Sequence, residues 1–428
     1  MTLADLLRDW LPRQRWFATK SAPIDALRPH LVSQLAADDE RRLEVWVVEV
    51  DAAGQTAAYQ VPLVTSRADR LPPSARLGEL DDGVVADGAA DPELTALLLD
   101  LMRGSAKADG LVAGSTEGLP DLRGPGVSLG AEQSNTSIVY GDRTAAGAVV
   151  LKLFRRLTTS PNPDLEVSRR LGELGSAHVP AAIGWIEGAG YTLGIAQPFL
   201  SGAVEGWSLA LSPAGDDFTV EAERLGAMTA GMHADLRAAF GSESRPAAEL
   251  ASIAAGMRDR LDSAVRAVAE LEPYATAIAA AYDDVAHLDG PLLVQRVHGD
   301  FHLGQVLRTD DGWVALDFEG EPARPVRERV APSPTLRDVA GMLRSFDYAA
   351  AQRGDLEWAP PNREAFCAGY AAAAGRDPRD EQILLRAYEL DKAVYEVRYE
   401  ADHRPEWIAI PLHGIARLVG GVRETSAQ

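Results

Sequence analysis

Cysteine is almost absent from this chain of 428 residues, which contains Cys367 alone. A single cysteine can form neither an intramolecular disulfide nor a cysteine-rich metal site. The neighbours of Cys367 in the segment AFCAG are small or apolar. We therefore expect a buried thiol on a helix and not a nucleophile.

Long hydrophobic runs are missing as well. No uncharged apolar stretch approaches the roughly 20 residues that are needed to span a bilayer. Charges interrupt the apolar residues of the N-terminal segment MTLADLLRDWLPRQRW, which therefore lacks the core of a signal peptide. Together these absences predict a cytoplasmic protein.

Basic residues are in deficit, because 42 Lys and Arg face 63 Asp and Glu and the formal net charge is −21. This balance argues against nucleic-acid binding through a general basic surface and against an anionic membrane as a partner. It does not exclude a locally basic pocket, since the local field decides binding there. We expect a monomer with a small-molecule partner, no nucleic acid and no membrane.

Several familiar catalytic motifs are also absent. The sequence has no GxxxxGK[ST] phosphate loop, and Gly124, Gly126 and Gly130 miss the GxGxxG spacing. It has no HExxH, no paired-histidine spacing and no nucleophile elbow. These patterns therefore support neither a P-loop enzyme nor a hydrolase.

The length and the 46% hydrophobic content predict two or three structural units. Residues 1–88 resemble a small α/β unit, residues 89–200 are strand-rich, and residues 201–428 are largely helical. Strands that are segregated from helices favour an α+β fold over a doubly wound sheet.

Local patterns predict the individual elements. We expect helices at 3–11 and 90–103, and an antiparallel pair of strands at 42–50 and 57–64 with one face in water. Hairpins are expected from 137–140 with 148–154 and from 182–187 with 191–199. Helices should fill 201–288 and 336–403, with a strand cluster at 292–318 between them.

The strongest chemical signal lies at residues 297–319. Asp300, in His298-Gly299-Asp300, precedes Gln305 by five residues, and a hairpin then delivers Asp317. Phosphoryl transfer needs a carboxylate for the attacking hydroxyl, and an amide oxygen and a second carboxylate for magnesium. Protein kinases use the same spacing of five. The alternative, an ordinary hairpin with surface acids, does not account for the combination.

A lysine inside an apolar strand is the second signal. Lys152 ends the run VVLK, which resembles the VAIK pattern of kinases, and Glu166 on the following helix is the best partner for its charge. The alternative is an edge-strand lysine whose charged end reaches water. Between two strand patches lies a phosphate-binding candidate, formed by Ser134, Asn135, Thr136 and Ser137, although such residues also make ordinary turns.

At these residues the sequence resembles the aminoglycoside phosphotransferase-like kinases and, within them, the actinobacterial maltokinases. The resemblance extends over nearly the whole chain, and its matching segments lie at 13–17, 132–137, 151–156, 297–322, 336–348 and 387–396. The resemblance implies a bilobal protein-kinase-like fold. Residues 1–88 would form an N-terminal cap, 89–200 an intermediate nucleotide-binding subdomain, and 201–428 a helical C-lobe with the catalytic and sugar sites.

The resemblance also implies an ATP- and Mg²⁺-dependent sugar kinase. Asp300 would be the catalytic base and Lys152 the phosphate contact. The other implied roles are magnesium ligands at Gln305, Asp317 and Glu319, and adenine contacts near Gln197 and Phe199. His298 is expected to orient the catalytic loop, and Arg337 and Asp338 are expected to brace it.

The sugar end departs from the maltokinase pattern. Asp402 and Glu406 flank Trp407, a candidate for stacking on a sugar. An ammonium group gains a charge-assisted hydrogen bond from such carboxylates, whereas a neutral disaccharide gains little. A related group of actinobacterial kinases phosphorylates glucosamine, and this chain is similar to it. His302, Tyr395 and Glu396 complete the expected sugar contacts.

Four alternatives stay open. In the first, the two acids are surface charge, paired locally with His403 and Arg404. In the second, the acceptor is maltose, which would give maltose 1-phosphate. In the third, the chain is an inactive kinase-like module that binds nucleotide. In the fourth, it is an aminoglycoside-inactivating kinase, whose polycationic acceptors would suit an acidic cleft.

Overall fold

The computed structural model describes residues 1–18, 22–68, 71–104, 106–129, 135–159, 161–321 and 324–420. The chain divides into two compact units. Unit 1 comprises Met1–Glu173 and Pro180–Gly202, and unit 2 comprises Leu174–Val179 and Ala203–Gln428. Strands concentrate in unit 1 and helices in unit 2, which is the segregation that an α+β chain requires.

Unit 1 contains two antiparallel sheets, with strands numbered along the chain. The first sheet is built from β1 (Ile24–Ala37), β2 (Arg41–Ala52), β3 (Gln55–Ser66), β4 (Arg76–Leu80), β5 (Gly83–Asp87) and the short β10 (Arg156–Leu157). Its order is β1-β2-β3-β5-β4, and β10 pairs with β3 beside this path. The two strands expected in this region are therefore present and antiparallel.

The expected wet face of β2 and β3 is wrong, because both faces of these strands are buried. On β2, Val48 and Val50 pack in a core with the helix α1 (Leu3–Trp10). Leu43, Val45 and Val47 belong to the other large core of the unit. A strand buried on both sides needs apolar residues on both sides, so its alternation is weak.

The strand β1 was missed by the sequence patterns. It lies at the edge of its sheet and contains Pro29, and most of its residues are only partly buried. An edge strand tolerates proline because one row of its N–H groups has no partner strand. Such a strand shows neither a continuous apolar run nor a strict alternation.

The second sheet of unit 1 holds β6 (Leu111–Ser115), β7 (Val127–Ser128), β8 (Asn135–Tyr140), β9 (Val149–Phe154), β11 (Gly184–Gly188) and β12 (Tyr191–Pro198). Its order is β6-β11-β12-β9-β8-β7, and both expected hairpins are confirmed. The helix α2 (Pro92–Met102) begins after Asp91, whose carboxylate accepts hydrogen bonds from the first turn. The helix α3 (Pro163–Glu173) follows β10.

Unit 2 is mainly helical. Its helices are α4 (Gly206–Leu211), α5 (Thr219–Phe240), α6 (Ala248–Ala267), α7 (Ala275–Ala286), α8 (Val326–Arg329), α9 (Leu336–Arg353), α10 (Ala359–Ala374), α11 (Gln382–His403) and α12 (Ala409–Gly420). Its strands are β13 (Val204–Glu205), β14 (Ser242–Arg245), β15 (Leu292–Gln295), β16 (Val306–Thr309) and β17 (Gly312–Ala315). The predicted strand cluster is present, and α12 extends the helical region beyond the expected end at His403.

No helix in the described part of the chain combines the length and the apolar character needed to cross a membrane. Cys367 is buried on α10, as expected, and burial raises the pKa of its thiol to about 12.

Two glycines allow α5 and α10 to approach each other closely. A Cβ placed on Gly369 of α10 would overlap the carbonyl oxygen of Glu223 on α5. A Cβ placed on Gly226 of α5 would overlap the carbonyl oxygen of Phe366 on α10. The contact atoms are backbone atoms, which cannot rotate away as a side chain can, so each position requires glycine.

We predict that Gly369→Ala lowers the free energy of unfolding by about 1–3 kcal/mol, because the added methyl group overpacks this contact. Urea denaturation measures the change. The matched control is Gly256→Ala on α6, where only the flexible end of Arg260 lies nearby. That substitution should raise stability by up to about 1 kcal/mol through helix propensity. Equal effects at the two positions would contradict the packing explanation.

Candidate active site

The catalytic segment of unit 2 runs from β15 through a loop into the hairpin of β16 and β17. Gly299 in the loop has φ 86°, and Asp317 after the hairpin has φ 64°. A non-glycine residue rarely adopts this left-handed conformation, and such strain is concentrated at functional sites. The backbone therefore holds Asp317 in a special conformation next to the hairpin that the sequence predicted.

One buried carboxylate, that of Asp338 in the first turn of α9, holds the catalytic loop. Its Oδ2 accepts a hydrogen bond of 2.8 Å from the backbone N–H of His298, and its Oδ1 accepts one of 2.8 Å from Gly299. The Nε2 of His233 on α5 lies 2.9 Å from Oδ2. Burial raises the pKa of Asp338, but the hydrogen bond with His233 and the backbone contact outweigh it and lower the pKa.

The two residues expected to brace the loop do so. Besides Asp338, Arg337 donates from Nη2 to the carbonyl oxygen of Gly299 at 3.0 Å. His298 also has the structural role predicted for it. Its Nε2 donates to the carbonyl oxygen of Leu316 at 2.8 Å, and its ring lies 4.7 Å from that of Phe318.

The Asp300 side chain forms an ion pair with Lys392 of α11. The Nζ of Lys392 donates to Oδ1 of Asp300 at 2.9 Å. Burial raises the pKa of Asp300, but the charge and hydrogen bond of Lys392, together with the nearby His302 and His298, outweigh burial and hold the pKa well below its usual range. Asp300 is therefore ionised at neutral pH, as a group that accepts or orients a hydroxyl proton must be.

The two predicted metal ligands of the hairpin lie side by side. The Nε2 of Gln305 donates to Oδ2 of Asp317 at 3.3 Å. For Glu319, the structure places its carbonyl oxygen 3.2 Å from Nη1 of Arg329. Among the described residues, no three His, Cys, Asp or Glu side chains form a ready-made metal cage. An amide oxygen with one or two carboxylates fits Mg²⁺, which usually keeps waters and substrate phosphates as its other ligands.

A cavity of about 370 Å³ opens beside Asp300 within unit 2. Its size lies in the range of small-molecule sites, roughly 300–1,000 Å³. Many charged side chains lie in its wall. They are Arg245, Glu249, Arg260, Asp300, Glu321, Arg324, Glu328, Arg337, Asp391 and Lys392. A polar acceptor can find hydrogen-bond partners in such a wall.

Of the predicted sugar contacts, Asp300 and Tyr395 lie in this wall. Burial raises the pKa of Tyr395 to about 12, so its hydroxyl keeps its proton. His302 lies at the start of a short turn, where its Nδ1 accepts a hydrogen bond of 3.1 Å from Gly304. Glu396 pairs with the buried guanidinium of Arg344 at 2.8 Å.

The remaining sugar candidates lie at the end of α11 and just after it. Asp402 and Glu406 are exposed, and Trp407 is partly buried. The guanidinium of Arg404 lies 4.3 Å from the centre of the Trp407 ring and pairs with Glu400 at 2.8 Å. In the described structure these three candidates are not part of the cavity wall. Their contact with a sugar stays a prediction.

In unit 1, Lys152 lies on β9 opposite Ser137 of β8. Its Nζ contacts Oδ2 of Asp164 at 3.1 Å. Asp164 is in the first turn of α3, two residues before Glu166, which the sequence had suggested as the partner. The predicted pairing of a strand lysine with a helix acid is thus present through Asp164, and the role of Glu166 stays a prediction.

Arg155 connects the first sheet of unit 1 to the predicted phosphate segment. Its Nε donates to Oγ1 of Thr136 at 2.8 Å, and its Nη2 donates to Asp87 at 2.7 Å. Its guanidinium lies 5.2 Å from the centre of the Trp16 ring. The residue is only 2% exposed, so these contacts are made away from water. They fix the position of the Thr136 side chain.

The other predicted nucleotide contacts are spread over unit 1. Asn135 is buried at the start of β8, and Ser134 lies outside the described residues. The Nε2 of Gln197 donates to the carbonyl oxygen of Pro180 at 2.9 Å, so this side chain is engaged within the unit. Phe199 donates its backbone N–H to Ala148 at 2.8 Å.

Sequence reasoning missed Lys392, Asp164 and Arg155. Asp164 lies two residues before Glu166, and both are acids in the first turn of α3. Arg155 follows Lys152 by three residues in a segment already singled out. Lys392 is about 90 residues from Asp300, and nothing in the local pattern signals that they meet. The one available signal was a lysine among apolar residues of a helix.

We predict that Arg155→Met lowers the free energy of unfolding by about 2–3 kcal/mol, because Asp87 loses the partner of a largely buried ion pair. Urea denaturation measures this change. The control is Arg156→Met, whose side chain is exposed, and its effect should stay within about 0.5 kcal/mol. A tolerated Arg155→Met would show that the link to Asp87 does not stabilise the unit.

Comparisons with known proteins fit this arrangement. A profile described as the phosphotransferase enzyme family matches residues 126–384, and one described as the maltokinase N-terminal cap domain matches residues 10–91. The glucosamine kinase of Streptacidiphilus jiangxiensis is 29% identical over 399 residues, which cover 85% of this chain and 86% of that protein. The glucosamine kinase of Mycolicibacterium smegmatis is 29% identical over 313 residues, which cover 65% and 76%.

Solved structures agree on the fold. A glucosamine kinase matches with a TM-score of 0.70 at 25% identity, over 98% of this chain and 100% of that one. A glucosamine kinase in complex with glucosamine, ADP and inorganic phosphate matches with a TM-score of 0.68 at 24% identity, over 98% and 99%. The predicted α+β kinase-like fold with an N-terminal cap is confirmed. Because the phosphotransferase profile matches more than half of the chain, the protein belongs to the phosphotransferase enzyme family.

Proposed function

We propose that the protein is an ATP-dependent glucosamine kinase that forms glucosamine 6-phosphate and ADP. The observation that carries the proposal is the ionised Asp300 carboxylate, which a braced loop holds in the wall of a polar cavity. The acceptor is supported by the 29% identity to a glucosamine kinase over most of both chains.

In the proposed reaction the 6-hydroxyl oxygen of glucosamine bonds to the γ-phosphorus of ATP. The bond from that phosphorus to the β–γ bridging oxygen breaks, and ADP leaves with the electron pair. Asp300 orients the hydroxyl and receives its proton. Catalysis of this kind depends mainly on positioning and charge, so a rigidly held carboxylate is the chemistry required.

Other residues would hold the nucleotide and its metal. We propose Lys152 and the 134–137 segment for the phosphates, and the region of Gln197 and Phe199 for adenine. Gln305 and Asp317, with Glu319, would ligate Mg²⁺. A bound Mg²⁺ ion neutralises charge on the phosphates as it develops. An amide oxygen and a carboxylate, which Gln305 and Asp317 can supply, are the donor types that this ion accepts.

The amino group is the part of the acceptor that carboxylates can recognise. We propose Asp402 and Glu406 as its partners, with Trp407 against the sugar face and His302, Tyr395 and Glu396 nearby. Both acids are exposed, so they are available to a ligand. A charge-assisted hydrogen bond contributes about 1.5–3 kcal/mol.

A second candidate is maltose 1-phosphate formation. The observation that favours it is the maltokinase N-terminal cap domain match at residues 10–91. The match describes a part of unit 1 and reports no sugar contact, so it does not identify the acceptor.

We predict that purified protein with ATP and Mg²⁺ phosphorylates glucosamine with a kcat/KM about 10–100 times that for glucose. This ratio is the factor expected from one charge-assisted hydrogen bond to the ammonium group. A coupled ADP assay on glucosamine, glucose, N-acetylglucosamine and maltose measures it, and ³¹P NMR identifies the phosphorylated position. A preference for maltose would overturn the proposal in favour of a maltokinase.

Two sets of variants make this assay specific to the site. Asp300→Asn should lower kcat by about 10²–10⁴, the range for loss of a positioned acid–base group. Its control, Asp311→Asn, alters an exposed turn of the β16–β17 hairpin and should leave kcat unchanged.

The double variant Asp402→Asn with Glu406→Gln should bring the glucosamine-to-glucose ratio of kcat/KM close to one. A ratio that persists would move recognition of the amino group away from these two acids.

A further inference from the structure

Lys392 of α11 belongs to the immediate surroundings of Asp300. Its Nζ donates to Oδ1 of Asp300 at 2.9 Å and lies 3.8 Å from Oε1 of Glu321. It also lies 4.9 Å from the centre of the Tyr395 ring, in the geometry of a cation–π contact. All four residues line the same cavity.

This ion pair is mostly withdrawn from water. The exposed fractions of the side chains are 23% for Lys392 and 18% for Asp300. Two charges lose most of their hydration in such a place, and the attraction between them does little more than offset that loss. An apolar pair of similar size would stabilise α11 about as well. A contribution to folding stability therefore does not account for the ion pair, whereas a functional role in the cavity does.

The other cations in the cavity wall have partners other than the Asp300 carboxylate. In the described structure, Arg260 pairs with Asp391, Arg324 with Glu321, and Arg337 with Glu321 and the Gly299 carbonyl. His302 follows Asp300 by two residues, but burial lowers the pKa of its imidazole and favours the neutral ring. The cation that bonds Asp300 is thus supplied from α11 and not from the catalytic loop.

We propose that Lys392 is a positioning residue for phosphoryl transfer, which fixes the Asp300 carboxylate through Oδ1 and leaves Oδ2 to the acceptor hydroxyl. The proposal rests on the kinase activity proposed above. A carboxylate can rotate about its bond to Cβ, and a braced backbone does not prevent this. An ammonium group bonded to one oxygen prevents this rotation, and it also keeps the carboxylate anionic.

The charged groups around Asp300 determine how the removal of Lys392 would change the pKa of Asp300. From α11, Lys392 faces Asp300, and from the loop, His298 and His302 face it as well. The other charged groups of the wall are Arg245 on β14, Glu249 and Arg260 on α6, Glu321 and Arg324 before α8, Glu328 on α8, Arg337 on α9, and Asp391 on α11. Burial raises the pKa of Asp300, and the charge of Lys392 is the largest of the effects that lower it. Without Lys392 the pKa must therefore rise.

The test is the pH profile of kcat/KM for glucosamine with Lys392→Met, Lys392→Gln and Lys392→Arg. In the wild type, Asp300 stays ionised, so it imposes no loss of activity between about pH 5 and 8. We expect Lys392→Met and Lys392→Gln to lose about a hundredfold in kcat. Their acidic limb should move upward into this pH range, because a protonated Asp300 accepts no proton. Lys392→Arg, which keeps the charge, should recover to within about tenfold.

The matched control is Arg398→Met, which removes an exposed cation from the same helix and should leave the profile unchanged. The KM for ATP should also stay unchanged in the Lys392 variants. If Lys392→Met fails to fold, Lys392→Gln gives the same comparison with a side chain that can still donate a hydrogen bond. Wild-type kcat and an unshifted profile in either neutral variant would overturn the inference.

Failure of the two proposals is distinguishable. If the wild type prefers another sugar, the glucosamine proposal fails, and the profiles taken with the preferred sugar decide the role of Lys392. If the wild type phosphorylates glucosamine and the neutral variants match it at every pH, only the inference about Lys392 fails. A wild type that transfers phosphate to no acceptor would overturn both.

Discussion

The contact on which the site depends is the one between the Asp338 carboxylate and the backbone of the catalytic loop. Two N–H groups of the loop donate to it, and a buried histidine on α5 holds it from the other side. A buried carboxylate without partners would be costly, and one with three hydrogen bonds is stable and ionised. The loop that presents Asp300 is therefore tied to a helix of unit 2.

Buried charges define the functional parts of both units. In unit 1, Arg155 joins Asp87 and Thr136, and Lys152 meets Asp164. In unit 2, Lys392 meets Asp300 at the wall of the cavity. Each pair is expensive to place away from water and specifies a geometry that apolar residues would not. Several basic residues of this acidic protein thus form ion pairs with buried or partly buried carboxylates.

Much of this could be predicted from the sequence because the signals were local. Asp300, Gln305 and Asp317 are separated by a fixed spacing and a hairpin, so their order along the chain implied their proximity. Lys152 contacts Asp164 on the helix that the sequence had suggested, and its expected pairing with Glu166 stays a prediction, since first-turn acids of one helix look alike in sequence. The wet face expected for β2 and β3 was wrong because the elements that cover the two faces, among them α1 and α2, lie outside the segment that the local pattern describes.

Other features had no local signal. The meeting of Lys392 with Asp300 depends on how α11 packs beside the catalytic loop, and no pattern within α11 reports that. Pro29 lowers the strand propensity of β1, so the sequence pattern did not indicate this edge strand. Its pairing with β2 outweighs that low propensity. The acceptor was predicted from Asp402, Glu406 and Trp407, which depart from the maltokinase pattern. Such a departure indicates a different acceptor, but it does not show where these side chains lie relative to Asp300.

The most direct test of the central claim is the turnover number of Asp338→Asn, with nucleotide affinity measured on the same sample by calorimetry. An amide presents an N–H₂ group to loop N–H donors, so the loop should shift and kcat should fall about a hundredfold or more. Nucleotide affinity should stay within about threefold, because the proposed phosphate contacts lie in unit 1. A folded Asp338→Asn protein with wild-type kcat would contradict the claim that this carboxylate positions Asp300.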